Sequence, residues 1–93
     1  MIAQLPTDVA EYKRTAEFDE TTVPGGLKRS HRLKAGVWGE IIVTVGRVRY
    51  VVESGGDSTV LDSAHPGVIA PEAPHHVELE PGARFYVRFL RRG

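Results

Sequence analysis

Ala70-Pro71-Glu72-Ala73-Pro74-His75-His76-Val77-Glu78 is the stretch whose reading decides the fold. Two prolines close a turn, and a histidine then enters a run that alternates apolar and polar. Proline fixes the entry angle of the chain and cannot donate to a strand ladder, so it marks the start of a strand rather than its middle. From His75 onward, His75, Val77 and Leu79 share one face, and His76, Glu78 and Glu80 share the other. A histidine on the first inward position of such a strand is placed to hold a metal or a small ligand inside a β-barrel.

The same alternation recurs on both sides of this stretch. In 37–45, Val37, Ile41, Val43 and Val45 fall together with Gly39, against Trp38, Glu40, Ile42 and Thr44. In 47–53, Val48, Tyr50 and Val52 oppose Arg47, Arg49 and Glu53. Gly46 is the expected turn between these two strands. Pro81-Gly82 is another, followed by Phe85, Val87 and Phe89 opposite Arg84, Tyr86 and Arg88. An earlier run, 27–33, reads as a strand with Leu27, Arg29, His31 and Leu33 on one side. Gly and Pro interrupt the chain at short intervals, the pattern of many short strands in a sandwich or barrel. A sustained helical period is missing. The nearest candidate is one or two turns over 7–13, where Asp8 and Glu11 resemble a capping box.

The chain has 93 residues, 41% of them hydrophobic and 26% charged. That is the size and composition of one domain. It reads as an N-terminal arm over 1–11 and a core over 12–90. Twelve basic residues balance twelve acidic ones, which speaks against a nucleic-acid footprint. Arg84, Arg88, Arg91 and Arg92 make a basic end, read mainly as a solvated face. There is no cysteine, so disulfides, thiol catalysis and Cys-based zinc sites are excluded. The N-terminus has neither a basic region nor an apolar core of a signal peptide. No apolar run approaches a membrane span. A cytoplasmic protein without membrane contact is the expectation.

The remaining chemistry lies in histidines. His31 and His75 fall on inward faces; His76 is expected outside, and His65 in a loop. An inward imidazole is most often a neutral core group with one hydrogen bond. Two of them facing one cavity instead make a candidate site. Zinc takes four ligands, three of them from protein at a catalytic site, so two imidazoles are incomplete. Glu78, Glu40 and His65 are candidates for the missing ligand, although Glu78 has the wrong parity for His75 without a bulge. Gly55-Gly56-Asp57 stands between strands and is no phosphate loop, so no nucleotide is expected.

Phe18-Asp19-Glu20-Thr21-Thr22-Val23-Pro24, His31-Arg32-Leu33-Lys34-Ala35-Gly36-Val37-Trp38, the stretch from Pro71 to Glu78, and Phe85-Tyr86-Val87-Arg88-Phe89 together resemble a known family. It is the cupin-like domain at the N-terminus of tellurite-resistance B proteins, found alone in YeaR-like proteins. The resemblance covers about Thr15 to Leu90. It implies an all-β, cupin-like small barrel of the double-stranded β-helix or jelly-roll type, with about eight strands. The first cupin motif is reduced to His31. The second, Pro-x-Gly-x-x-His, is approximated by Pro71 to His76 with Ala73 in place of Gly. The family pattern points to His75 as the recurring histidine and has a Glu at the position of Glu78. A metal site of His31, His75 and Glu78 is therefore expected, for a divalent ion: zinc first, then iron or nickel.

Methyl transfer in the fused proteins belongs to a separate domain, so methyltransferase activity is not expected of these residues. The leading reading is a binding module that senses or sequesters a small molecule or anion under oxyanion or nitrosative stress. The rivals are a metal-dependent oxygenase or isomerase and a non-catalytic dimeric module. Tyr12, Trp38, Ile42, Val51 and Tyr86 are expected outside the core, which predicts a homodimer.

Overall fold

The computed structural model describes residues 4–92. Residues 1–3 of the expected N-terminal arm, and Gly93, lie outside the described residues. Seven strands run β1 (Val9–Arg14), β2 (Trp38–Val45), β3 (Val48–Val52), β4 (Asp57–Leu61), β5 (Gly67–Ile69), β6 (His75–Leu79) and β7 (Arg84–Arg92). One 3-10 turn, Gly25–Lys28, precedes β2. Among the described residues no helix is long and apolar enough to cross a membrane.

The strands form two antiparallel sheets, one ordered β1-β7-β2-β5 and the other β4-β3-β6. An all-β fold is as expected. Where a small barrel of about eight strands was expected, the described residues form seven strands in two sheets, with no ladder between the sheets among them. The chain passes from one sheet to the other at Gly46, whose φ is +71°. A Cβ there would also stand 3.2 Å from the Cα of Ala83, so the corner requires glycine on two counts.

Alternation puts Ile41, Val43, Phe85 and Val87 on the inner face of the four-stranded sheet. Val48, Tyr50, Leu61 and Val77 line the inner face of the other, and all eight are buried. The parity expected at Val45 fails. The register between β2 and β7 shifts after Val43, and Val45 ends up 51% exposed.

Two expectations are corrected. The helix over 7–13 is instead strand β1, paired along its length to the end of β7. Asp8 does not cap a helix; its carboxylate accepts from Arg92 Nε at 2.6 Å. The strand over 27–33 is instead the 3-10 turn followed by an extended segment that pairs at one point, His31 with His75. Pro24-Gly25-Gly26 favours a tight turn over a ladder.

All four late arginines have partners on the chain. Arg84 meets Glu17, Arg88 meets both Glu40 and Glu11, and Arg92 meets Asp8. Arg91 lies over the Tyr12 ring, 4.0 Å from its centroid.

Candidate functional site

The turn before β6 sets the position of His75. Residues 70–73 bend with Ala73 N–H directed at Ala70 O, 3.5 Å away. Pro71 is the first central residue, and Glu72, the second, has φ +63°. That is the pattern of a type II turn, which normally asks for glycine at the second central position. The turn is fastened because Glu72 N–H donates to Leu33 O at 3.0 Å. Left-handed backbone costs a non-glycine residue roughly 1–2 kcal/mol, while glycine adds about 0.5–1 kcal/mol of unfolded-state entropy. Glu72→Gly is therefore expected to stabilise the protein by about 0.5–1 kcal/mol. Urea melts should show the midpoint rise; a fall would mean that the Glu72 side chain contributes more than its strain.

His31 arrives from the other side. His31 N–H donates to His75 O and His75 N–H to His31 O, both at 2.8 Å. This reciprocal pair covers the outer edge of β6 and sets the two side chains next to each other. The ring centroids are 5.4 Å apart, nearly edge to face. Two imidazoles sharing one zinc, with Zn–N about 2.0–2.1 Å, place their centroids about 5–6 Å apart, so the spacing fits a shared ion.

The protonation of His75 follows from its contacts. Its Nδ1 is 2.9 Å from Ala73 O. A carbonyl only accepts, so Nδ1 carries the proton and Nε2 keeps its lone pair. Burial pushes the His75 pKa below the usual imidazole value, and His31 nearby adds to the effect. The ring is therefore neutral near pH 7, the form that ligates metal. His75 Nε2 and His31 Nδ1 are both buried and have no hydrogen-bond partner. Such orphaned groups are uncommon in native interiors and call for a physical reason. Both histidines line a cavity of about 30 Å³, with Thr15, Leu27, Leu33, Ile69, Val87 and Phe89. That is room for one water or one ion.

Glu78 is not brought to this pair. It stands on the outer face of β6, where its carboxylate lies 3.1 Å from His76 Nε2. His76 Nδ1 lies 2.7 Å from Glu53 on the other side. The Glu53 hydrogen bond is the largest cause that pushes the His76 pKa above the usual value; desolvation opposes it, and the Glu78 hydrogen bond adds a smaller upward push. His65 is held at a loop by Asp62, 2.8 Å away, and Glu40 accepts from Arg88 Nε at 2.6 Å. Among the described residues no group of three His, Cys, Asp or Glu is placed to hold a metal. Two adjacent histidines are thus pushed in opposite directions: burial lowers the His75 pKa, and carboxylates raise that of His76.

The sign of the His76 effect is testable. A folded pKa raised above about 6.5 contributes stability that is complete below that value and is lost as pH rises through the folded pKa. His76→Gln should therefore narrow the stability gap to wild type as pH rises from 6 to 8. Urea midpoints at both pH values measure it; a gap that widens with pH would overturn the assignment.

Two groups near this pair were not found from sequence. The first is Ala73, whose carbonyl selects the His75 tautomer; a backbone acceptor leaves no side-chain signal. The second is Tyr50, whose ring centroid lies 5.7 Å from that of His75. Its inward parity was legible, but its contact was not.

The TehB-like domain family matches residues 13–87. The chain belongs to the TehB-like family. No curated protein matches it in sequence. A crystal structure of a protein from E. coli (strain K12) superposes with a TM-score of 0.87 at 22% identity, covering 99% of both chains. TehB from Haemophilus influenzae superposes with a TM-score of 0.82, also at 22% identity, over 92% of this chain. The TehB-like chain spans only 32% of that longer protein. At these identities the likeness establishes a shared fold for the TehB-like domain.

Proposed function

We propose that this TehB-like domain is a small binding module in which His31 and His75 hold a divalent metal ion, zinc first. Its role is to sense or sequester a small ligand during oxyanion, tellurite or nitrosative stress. The observation that carries the reading is the pair of buried imidazole nitrogens without partners, His31 Nδ1 and His75 Nε2, on one small cavity. Family membership supports the link to tellurite resistance. We read the two sheets as an open version of the cupin-like barrel of YeaR-like proteins.

When bound, a divalent ion supplies Lewis acidity and coordination positions open to an outside ligand. The chain's own part is to present two buried, unpartnered ring nitrogens in an apolar surround, with Ala73 O fixing the His75 tautomer. A two-His-one-carboxylate oxygenase site needs a carboxylate on the same side. Glu78 reaches that side only if β6 rearranges, so binding is favoured over turnover. No methyl transfer is assigned to these residues.

Zinc titration of protein purified without an affinity tag tests the proposal. About one zinc per chain is expected in wild type and none in the His31→Ala/His75→Ala double variant. Glu78→Ala should bind within about twofold of wild type. Full zinc content in the double variant would place the site elsewhere, and loss in Glu78→Ala would make that carboxylate a ligand.

We also propose a homodimer through the outer face of the four-stranded sheet, where Ile42 and Tyr86 are cross-strand neighbours. Ile42→Glu should lower the mass in sedimentation equilibrium. A wild-type mass of 10.2 kDa at high protein concentration would reject it.

A further inference from the structure

The two sheets part on the side away from β1. Their free edges there are β5 and β4. Between them lies a cleft of about 720 Å³ lined by β3, β4, β5, the β4–β5 connection and the turn before β6. At one end the walls meet: a Cβ on Gly67 would stand 2.6 Å from Leu61 Cδ1. The cleft is far larger than the cavity between the histidines and falls within the range of small-molecule sites, about 300–1,000 Å³.

Its lining decides the kind of ligand. The surface is mostly apolar, with Val52, Val68, Ala70 and Ala73 on facing walls. No Lys, Arg or Glu lines it. Of the ionisable groups that do, Tyr50 is kept neutral by burial, its pKa pushed up to about 12. His65 is turned to Asp62, and Asp57 is an exposed residue at the start of β4. An anion would meet no Lys or Arg on the walls, Asp57 is the one carboxylate there, and desolvating a charged ligand against mostly apolar walls would be costly. An added strand is also disfavoured on the β5 edge. The β5 edge is three residues long, between Pro66 and Pro71, and so short an edge offers few free backbone groups.

We propose that this cleft binds a small, uncharged, largely apolar molecule, with Tyr50 and Thr59 supplying its polar contacts. Tyr50 and Thr59 are directly opposite in the ladder of β3 and β4. The site does not require the metal. It does adjoin the histidine pair, because Tyr50 packs on His75 and the Ala73 carbonyl accepts its Nδ1 proton.

N-phenyl-1-naphthylamine, a neutral apolar fluorophore, is a suitable probe. Wild type should bind it saturably at one per chain. Thr59→Phe and Ala70→Phe fill the cleft from opposite walls and should each weaken binding at least tenfold. Val45→Lys, at the exposed end of β2 and outside the cleft lining, should leave it within twofold. The His31→Phe/His75→Phe variant should also retain probe binding, which separates this site from the metal reading. Should a filling variant fail to fold, methyl chemical shifts of Val52, Thr59 and Val68 in wild type locate the probe directly. Unsaturable binding, equal loss in Val45→Lys, or shifts confined to other residues would overturn the proposal. So would a dimer that becomes monomer in Thr59→Phe, which would assign the cleft to a second copy.

Discussion

Phe85→Ala should destabilise the protein by about 3–5 kcal/mol, the range for truncating a fully buried phenylalanine. Phe85 is 0% exposed. It pairs with Val43 across β7 and β2 and meets Phe18 edge to face at 5.7 Å. The main chain doubles the link: Phe18 N–H donates to Phe85 O at 2.7 Å, and Phe85 N–H to Phe18 O at 3.0 Å. Truncation removes the ring from the sheet interface and leaves Phe18 without its partner. Small domains hold about 5–15 kcal/mol in all, and one of this length belongs near the lower end. The variant should therefore be close to unfolded at 37 °C, with the urea midpoint lowered by about 2 M for an ordinary slope. Val60→Ala is the comparison. Val60 is 55% exposed, and its loss should stay within about 0.5 kcal/mol. Equal costs for the two would mean that the core does not lie where the sheets place it.

That core was legible because β2, β3, β6 and β7 each bury one face and alternate with period two. Ile41 and Val43, Val48 and Tyr50, His75 and Val77, and Phe85 and Val87 all fell on the side their parity indicated. The turns at Gly46 and Pro81-Gly82 were legible for a local reason, since both glycines adopt positive φ. Failures occurred where a long-range partner overrode a local pattern. Asp8 and Glu11 have helix-cap spacing, yet Asp8 is used by Arg92 and Glu11 by Arg14 and Arg88. The run 27–33 alternates like a strand, yet it starts as a 3-10 turn because its preceding Pro-Gly-Gly bends the chain. Strands β4 and β5 gave little signal: β4 is mostly exposed and β5 is only three residues long.

The site divides in the same way. Parity placed His31 and His75 on inner faces, and the reciprocal backbone pair brings them together. Glu78 was drawn toward them by the resemblance and away by parity; its carboxylate lies with His76 on the outer face. The turn motif shows a related displacement. Counting a proline-glycine pattern literally puts the glycine at Ala73, whereas the left-handed position is Glu72. The demand for positive φ sits one residue earlier than the motif suggests.

Zinc at one hundred times its dissociation constant should raise the stability by about 2.7 kcal/mol, provided that only the folded chain binds it. For a domain of this length that corresponds to a rise in Tm of about 10–20 °C. The rise depends on two neutral imidazoles. His31→Phe/His75→Phe keeps rings in the interface but removes both lone pairs, and the zinc-dependent shift should vanish. Its metal-free stability should stay close to wild type, because removing a buried, unpaired nitrogen offsets the loss of the His75–Ala73 hydrogen bond. The pH dependence has a definite sign. An unfolded-state histidine binds its proton near pH 6.5, whereas the folded His75 pKa is depressed by burial. Over the interval between those two values the unfolded chain binds more protons. The stability from keeping His75 neutral is thus present above about pH 6.5 and declines as pH falls through that interval. Protons compete with zinc for the same lone pairs, so the zinc-dependent shift should shrink on acidification before the fold itself is lost. Differential scanning calorimetry with and without zinc, from pH 8 down to pH 5, measures both effects. A shift that persists undiminished at pH 5, or survives in the double phenylalanine variant, would remove the histidine pair as the site.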